Sequence, residues 1–511
     1  MAYLLGIDVG TTGARAVLID EEGTIVGAGT SEYPLLTPQP KWAEQDPEDW
    51  WSATGEAIQT AFAAAGISGD EVRGVGLSGQ MHGLVLLDAQ GQVLRPAILW
   101  CDQRTTAECA WITETVGARR LIELTCNPAL EGFTAPKLLW VRRHEPHLLE
   151  RTARVLLPKD YVRWRLTGVC ATEVSDASGT LLFDVRNRRW SDEMLRLLDV
   201  PRAWLPDVYE SPVVSGQISE TAARATGLRA GTPVVGGGGD QAAGGVGNGV
   251  VRPGIVSSTI GTSGVIFAFA EEVRLDPRGR VHTFCHAVPG KWHVMGVTQG
   301  AGLSLRWFRD NFGGIEIEAG NLAGIDPYTF LVREAERAPA GSEGLLWLPY
   351  LMGERTPHLD ANAKGVLFGV TARHTRFHVI RAILEGVAFS LRDSFEILRE
   401  MDVPIDQVRA SGGGSRSELW RQIQADVFGT PMVTINATEG PAFGVALLAG
   451  VGTGVWASVE EACDATIRVT SEAQPDLANA ALYDRLYQVY RALYPALKPS
   501  FDTVTALMAA P

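Results

Sequence analysis

Cysteine is scarce and shows no pairing pattern. The six cysteines, Cys101, Cys109, Cys126, Cys170, Cys285 and Cys463, are scattered and form no C-x-x-C pair. That argues against a disulfide scaffold and for a reduced compartment. No apolar run is long enough to span a bilayer. The opening Met1-Ala-Tyr-Leu-Leu-Gly-Ile-Asp8 lacks the basic region of a secretory signal, so a cytoplasmic location is expected. Positive charge is in deficit: a net charge of −14 offers no basic face to nucleic acid or an anionic membrane. No G-x-x-x-x-G-K-[ST] element occurs, which excludes a P-loop, and no H-R-D or D-F-G set, which excludes a protein kinase. Gly74-x-Gly76-x-x-Gly79 matches the dinucleotide fingerprint in letters only. A strand over 83–87 is predicted to follow it, not the helix that a pyrophosphate needs.

What is present is length, glycine and repetition. A chain of 511 residues is too long for one core and predicts two domains. A strand over 3–9 runs into Gly10-Thr-Thr-Gly13, returns over 14–19 and continues over 24–29. An amphipathic helix over 50–65 follows Asp46-Pro47, a cap and first turn. The run Gly236-Gly-Gly-Gly-Asp240 marks a domain junction, because each ordered glycine carries extra backbone entropy and is not placed idly. After it the opening pattern returns. A strand over 255–260, the loop Gly261-Thr-Ser-Gly264 and a strand over 265–270 repeat the first hairpin half a chain later, which predicts a duplicated domain. A long helix over 379–399, Ser411-Gly-Gly-Gly-Ser415, a helix over 418–428 and a final helix over 480–493 complete the pattern.

Glycine-rich turns present successive amides as a nest for anions, and their threonine and serine hydroxyls add donors. One such turn is ordinary; a matched pair in a duplicated chain points to a polyphosphate gripped from both sides. Asp8, closing an apolar strand just before the first loop, is placed to hold Mg²⁺ through water, the plain alternative being a turn cap. Asp240, ending the glycine run, is placed to accept a hydroxyl proton, the alternative again being a turn aspartate. His374 and His378 lack a third ligand and are expected to be solvated. His282, Cys285 and His286 are expected to alternate along a strand. Trp42, Trp50 and Trp51 are expected in core and anchoring positions.

The combined motifs resemble the FGGY carbohydrate kinases, and within them the xylulose branch. They are Gly6-Ile-Asp-Val-Gly-Thr-Thr-Gly13, Ser78-Gly-Gln-Met-His-Gly83, Gly132-Phe-Thr-Ala-Pro-Lys137, Leu157-Pro-Lys-Asp-Tyr161, Gly239-Asp-Gln-Ala-Ala243, Gly353-Glu-Arg-Thr-Pro-His358 and Gly365-Val-Leu-Phe-Gly369 with Ala382-Ile-Leu-Glu-Gly386. The resemblance covers nearly the whole chain. It implies an α/β fold of two duplicated RNase H-like, actin/hexokinase-type domains around a catalytic cleft. These would be a sugar-binding domain over 1–248 and a nucleotide-binding domain over 249–495, with a tail over 496–511. It implies ATP and Mg²⁺, a small sugar substrate with D-xylulose foremost, and a homodimer. Asp240 stands where the family has its base and Asp8 where it has its Mg²⁺-linked aspartate. Thr11, Thr12, Gly261 and Thr262 match the phosphate loops, and Gly412, Gly413, Gly414 and Ser417 the adenosine segment. Met81, His82 and Gln241 fall where the sugar is contacted. Gln241 and Cys101 stand where the xylulose branch often has asparagine, which leaves a sister kinase for ribulose or a polyol open. A nucleotide-gated interaction protein of the actin kind is the alternative from another class.

Overall fold

The computed structural model describes residues 3–509. Two sheets of the same plan form its frame. In the first lobe β1 (Tyr3–Val9), β2 (Gly13–Ile19) and β3 (Ile25–Glu32) form an antiparallel meander. Helix α1 (Pro47–Ala65) then crosses over to β4 (Val72–Gly79), which pairs parallel with β1. The α1 start follows from its sequence: the Asp46 side chain accepts the Glu48 amide at 3.0 Å, and Pro47 occupies the first turn. β5 (Pro233–Val235) pairs parallel with β4, and the strand Val214–Gln217 closes that edge antiparallel. Helix α2 (Asp240–Gly247) follows.

The second lobe repeats this strand for strand. β6 (Gly254–Ile260), β7 (Gly264–Ala270) and β8 (Trp292–Thr298) form the meander. After α3 (Arg376–Glu400), β9 (Ile405–Gly412) pairs parallel with β6. After α4 (Glu418–Phe428), β10 (Met432–Ile435) pairs parallel with β9, and Val469–Ala473 closes the edge antiparallel. The one addition is the strand His282–Cys285, outside β8.

The lobes are not separate beads. Helix α5 (Gly440–Gly452) leaves the second sheet and lies on the first: a Cβ on Gly6 of β1 would sit 1.8 Å from the Ala442 carbonyl oxygen. α5 packs against α2 as closely, since a Cβ on Gly444 would sit 1.9 Å from the Ala243 carbonyl oxygen. Leu4 and Val17 from one sheet, Phe267 and Phe269 from the other, and Ala446 and Leu447 of α5 thus share one buried cluster. An α5 that is apolar all round is what such a position requires.

Helix α6 (Leu477–Ala509) departs from the sequence reading. It runs without a break through Pro495 and Pro499, well beyond the expected span of 480–493, so residues 496–509 are helical. Tyr483, Tyr487, Tyr490 and Phe501 are buried against the second lobe, and that burial outweighs the local cost of the prolines. Among the described residues no helix is long and apolar enough to cross a membrane.

Candidate active site

The two glycine loops leave their sheets at equivalent points, between β1 and β2 and between β6 and β7. Each is closed by its own first amide: Gly10 N–H donates to the Gly13 carbonyl at 3.1 Å, and Gly261 N–H to the Ser263 carbonyl at 2.9 Å. The loop carbonyls are taken by the protein. Tyr33 Oη and Gln80 Nε2 donate to the Gly10 carbonyl, and Gln45 Nε2 to that of Thr11. Gly302 and Leu303 donate their amides to the carbonyls of Gly261 and Thr262. The amides of Thr11, Thr12, Thr262 and Ser263 donate to no protein acceptor among the described residues. Carbonyls tied back and amides left free make an anion nest on each lobe. Thr12, Gly261 and Thr262 are exposed at the loop tips. Arg306 donates to Thr262 Oγ1 at 3.2 Å, and Trp100 Nε1 to Thr11 Oγ1 at 2.9 Å.

The pairing of strands brings the two aspartates together. Asp8 of β1 stands beside Ser78 of β4, and Ser78 stands beside Gly238 of the short strand Gly238–Gly239. One residue further, Asp240 opens α2. Burial pushes Asp8 up to about 6, against the Ser78 hydroxyl and the Arg15 guanidinium nearby. Ser78 Oγ lies beside it without completing a hydrogen bond, and the buried Asp8 Oδ1 has no partner among the described residues. Burial first, and then the Asp8 charge, push Asp240 up to about 7, with Gln241 opposing through its amide and side chain. Two carboxylates that repel each other, one with an orphaned oxygen, fit a divalent cation. No group of three or more His, Cys, Asp or Glu side chains is placed to cage one among the described residues. That donor set suits Mg²⁺, which keeps most of its waters and takes phosphate oxygens.

Met81 reaches the residue that precedes Asp240, and His82 follows Met81 in the chain. Met81 is buried against Gly239, where a Cβ would meet its Sδ at 2.9 Å. His82 has a left-handed backbone, φ 71°, held by two donors to its carbonyl: Lys137 Nζ at 2.9 Å and Thr134 Oγ1 at 3.0 Å. Its Nδ1 lies 2.6 Å from the Gly179 carbonyl. A carbonyl only accepts, so Nδ1 carries the proton and Nε2 is an acceptor. Burial lowers the imidazole to about 3, so it is neutral. Burial likewise lowers Lys137 to about 7.

Other predicted residues fall as follows. Gly412 ends β9, and Gly413–Arg416 is a single 3-10 turn beyond it. β9 pairs with β6 as far as Ile260 and Gly412, which sets this turn beside the second glycine loop. Ser417 Oγ accepts the Trp420 amide at 3.0 Å and so caps α4. His282 and Cys285 alternate along their strand, and His286 Nε2 lies 3.0 Å from the Val250 carbonyl. Trp50 is fully buried. Sequence reasoning missed Arg355, although it lies in a motif singled out. Burial lowers its guanidinium, and its charge reaches His82 and Glu131 across the lobes.

Residues 3–247 match the N-terminal domain, and residues 256–453 the C-terminal domain, of the FGGY family of carbohydrate kinases. The chain belongs to that family. It is 41% identical to a xylulose kinase of Bacillus subtilis, over 99% of both chains. It is 41% identical to one of Escherichia coli, over 97% of this chain and 99% of that one. Among solved structures, a xylulose kinase from Rhodospirillum rubrum superposes with a TM-score of 0.90 at 32% identity, covering 98% of this chain and 100% of that one.

Proposed function

We propose that the protein transfers the γ-phosphoryl group of ATP to the terminal hydroxyl of D-xylulose, giving D-xylulose 5-phosphate and ADP. The observation that carries this is the placement of Asp240. It opens a helix directly after Gly239, against which Met81 packs, and lies near enough to Asp8 to feel its charge, in a chain whose two lobes each carry a glycine loop with amides free for phosphate.

Each residue has a task in that reaction. The free amides of Thr11, Thr12, Thr262 and Ser263 hold phosphate oxygens. His82 Nε2 accepts a sugar hydroxyl, and Met81 packs the sugar's carbon face. Asp240 takes the proton from the attacking hydroxyl as its oxygen bonds to phosphorus and the bond to ADP breaks. Gln241 holds the Asp240 carboxylate toward that hydroxyl. Asp8 would hold Mg²⁺, which neutralises charge on the phosphates. Gly412, Gly413 and Gly414 carry the adenosine. The same reading makes the protein a cytoplasmic homodimer, and light scattering tests the dimer.

The test is ADP release coupled to NADH oxidation, with Mg·ATP and D-xylulose, D-ribulose, L-ribulose, glycerol or gluconate. D-Xylulose is expected to give the highest kcat/KM. A different preferred sugar would move the substrate assignment to another branch and point to Gln241 and Cys101. A folded, ATP-binding protein that turns over with no sugar would sink the reading.

A further inference from the structure

The four glycines before Asp240 carry no side chains that could lock them in place, so their position must be set through amides and carbonyls. Both ends of the segment are held by one buried group of charges. At the near end Arg163 donates to the Val235 carbonyl at 2.7 Å and to the Gly236 carbonyl. At the far end the Gly239 amide donates to Ser175 Oγ at 3.0 Å and to Glu173 Oε1 at 3.2 Å. Gly239 is the residue immediately before Asp240.

Glu173 is saturated with donors. Besides Gly239 it accepts the amides of Ser175 at 2.6 Å and Asp176 at 2.7 Å, and the hydroxyls of Ser175 at 2.9 Å and Ser211 at 3.2 Å. Lys159 stands behind it. Its Nζ is 2.6 Å from Asp160, 3.1 Å from Asp176 and 3.7 Å from Glu173, and Arg163 lies 3.9 Å from Asp160. All five side chains are fully buried. Burial pulls the Lys159 ammonium down, but Asp160, Asp176 and Glu173 together outweigh it and keep it charged.

Capping the helix Val174–Ser178 does not explain this arrangement, because a serine or aspartate caps a helix without bringing a buried lysine along. Five buried ionisable groups, of which burial pushes the Asp176 carboxyl well above the usual carboxylate range, are a poor way to gain stability, since apolar residues of the same volume do as well or better. The Gly236 and Gly237 amides donate to the carbonyls of Val213 and Ser211, and Gly238–Gly239 pairs with β4; to these the group adds a side-chain attachment at each end of the segment, the far one at the residue before Asp240. We propose that the Lys159, Asp160, Arg163, Glu173 and Asp176 cluster is the positioning element for Asp240, with Glu173 as the member that acts on it most directly. This rests on the reading of Asp240 as the base. It also gives the Leu157-Pro-Lys-Asp-Tyr161 motif a task away from both substrates.

The test is a double-mutant cycle of Glu173→Gln with Asp240→Asn, with Ser175→Ala as the milder variant. Gln turns one acceptor oxygen into a donor facing the donors around it. In the wild-type background E173Q is expected to lower kcat about 10²-fold, the scale of a misplaced catalytic group, and to leave both KM values within about twofold. S175A is expected to show the same split at a smaller size. In the D240N background E173Q is expected to change the residual rate by less than about twofold, because the group it positions is gone. Equal losses in both backgrounds would mean a general structural role and overturn the proposal. Should E173Q not fold, the same comparison with S175A decides. A D240N enzyme of wild-type rate would overturn the base assignment and this proposal with it. An inactive D240N beside fully active E173Q and S175A would overturn the positioning role alone.

Discussion

Asp8 and Gly238 face Ser78 of β4 from opposite sides, Asp240 follows two residues after Gly238, and burial together with the Asp8 charge holds the Asp240 carboxyl up at about 7. A carboxylate with that pKa is a better base toward a sugar hydroxyl than an ordinary aspartate. Asp240→Asn is therefore expected to lower kcat by on the order of 10³-fold, within the range for general bases. ATP affinity, measured by calorimetry, should stay within about twofold, because the phosphate nests and Gly412–Gly414 are untouched.

The same pair weakens the ligand-free fold. An acid whose pKa is higher folded than unfolded binds the extra proton in the folded state. Stability then falls as pH rises from the unfolded value near 3.8 to about 7, and stays lower above that. Asn at position 240 removes the penalty. Ligand-free D240N, without metal, should melt a few degrees above wild type at about pH 8, and the gap should shrink toward about pH 5. A D240N protein that melts below wild type at the higher pH would contradict this.

Gly179 is packed against the His82 ring, where a Cβ would lie 2.6 Å from Cε1 and Nδ1. Gly179→Ala must push the imidazole away and lengthen its bond to the residue 179 carbonyl. The expected result is a KM for the sugar raised about tenfold or more, with KM for ATP unchanged. Steady-state kinetics with each substrate varied in turn read this directly.

Gly6→Ala tests the crossing of α5 onto the first sheet. The new methyl would meet the Ala442 carbonyl oxygen at 1.8 Å, backbone against backbone, so the helix or the strand must move. A loss of several kcal/mol, or failure to fold, is expected from overpacking of this kind. Gly314→Ala is the control. Nothing lies within 4 Å of its Cβ position, at the start of a helix, and its stability should be unchanged or higher. Urea unfolding of both variants checks the contrast.

Much was legible in local signals. The apolar strands ending in Gly-Thr-Thr-Gly and Gly-Thr-Ser-Gly, their repetition, and the aspartates at Asp8 and Asp240 stand in short stretches whose residue types dictate their form. Turn chemistry and strand alternation act over a few residues, so the sequence displays them. His82, Gly239 and Gly412 were visible as members of motifs, but their contacts were not.

The remainder lies in contacts between distant segments. Nothing local marks Gly440–Gly452 as belonging on the first sheet, because an apolar helix is equally suited to any buried face until close approach at Gly6 and Gly444 selects one. Nothing local brings Glu173 and Lys159 together; Arg163, Asp160 and the glycine run close around them only in the fold. The final helix was expected to stop near residue 493, and burial of Tyr483, Tyr487, Tyr490 and Phe501 carries it through Pro495 and Pro499 to Ala509. The local chemistry of loops and strands was set by neighbouring residues alone, since the physics there is short-ranged. Folding decided which buried charges, helices and carbonyls meet, because burial and electrostatics depend on partners that lie far apart along the chain.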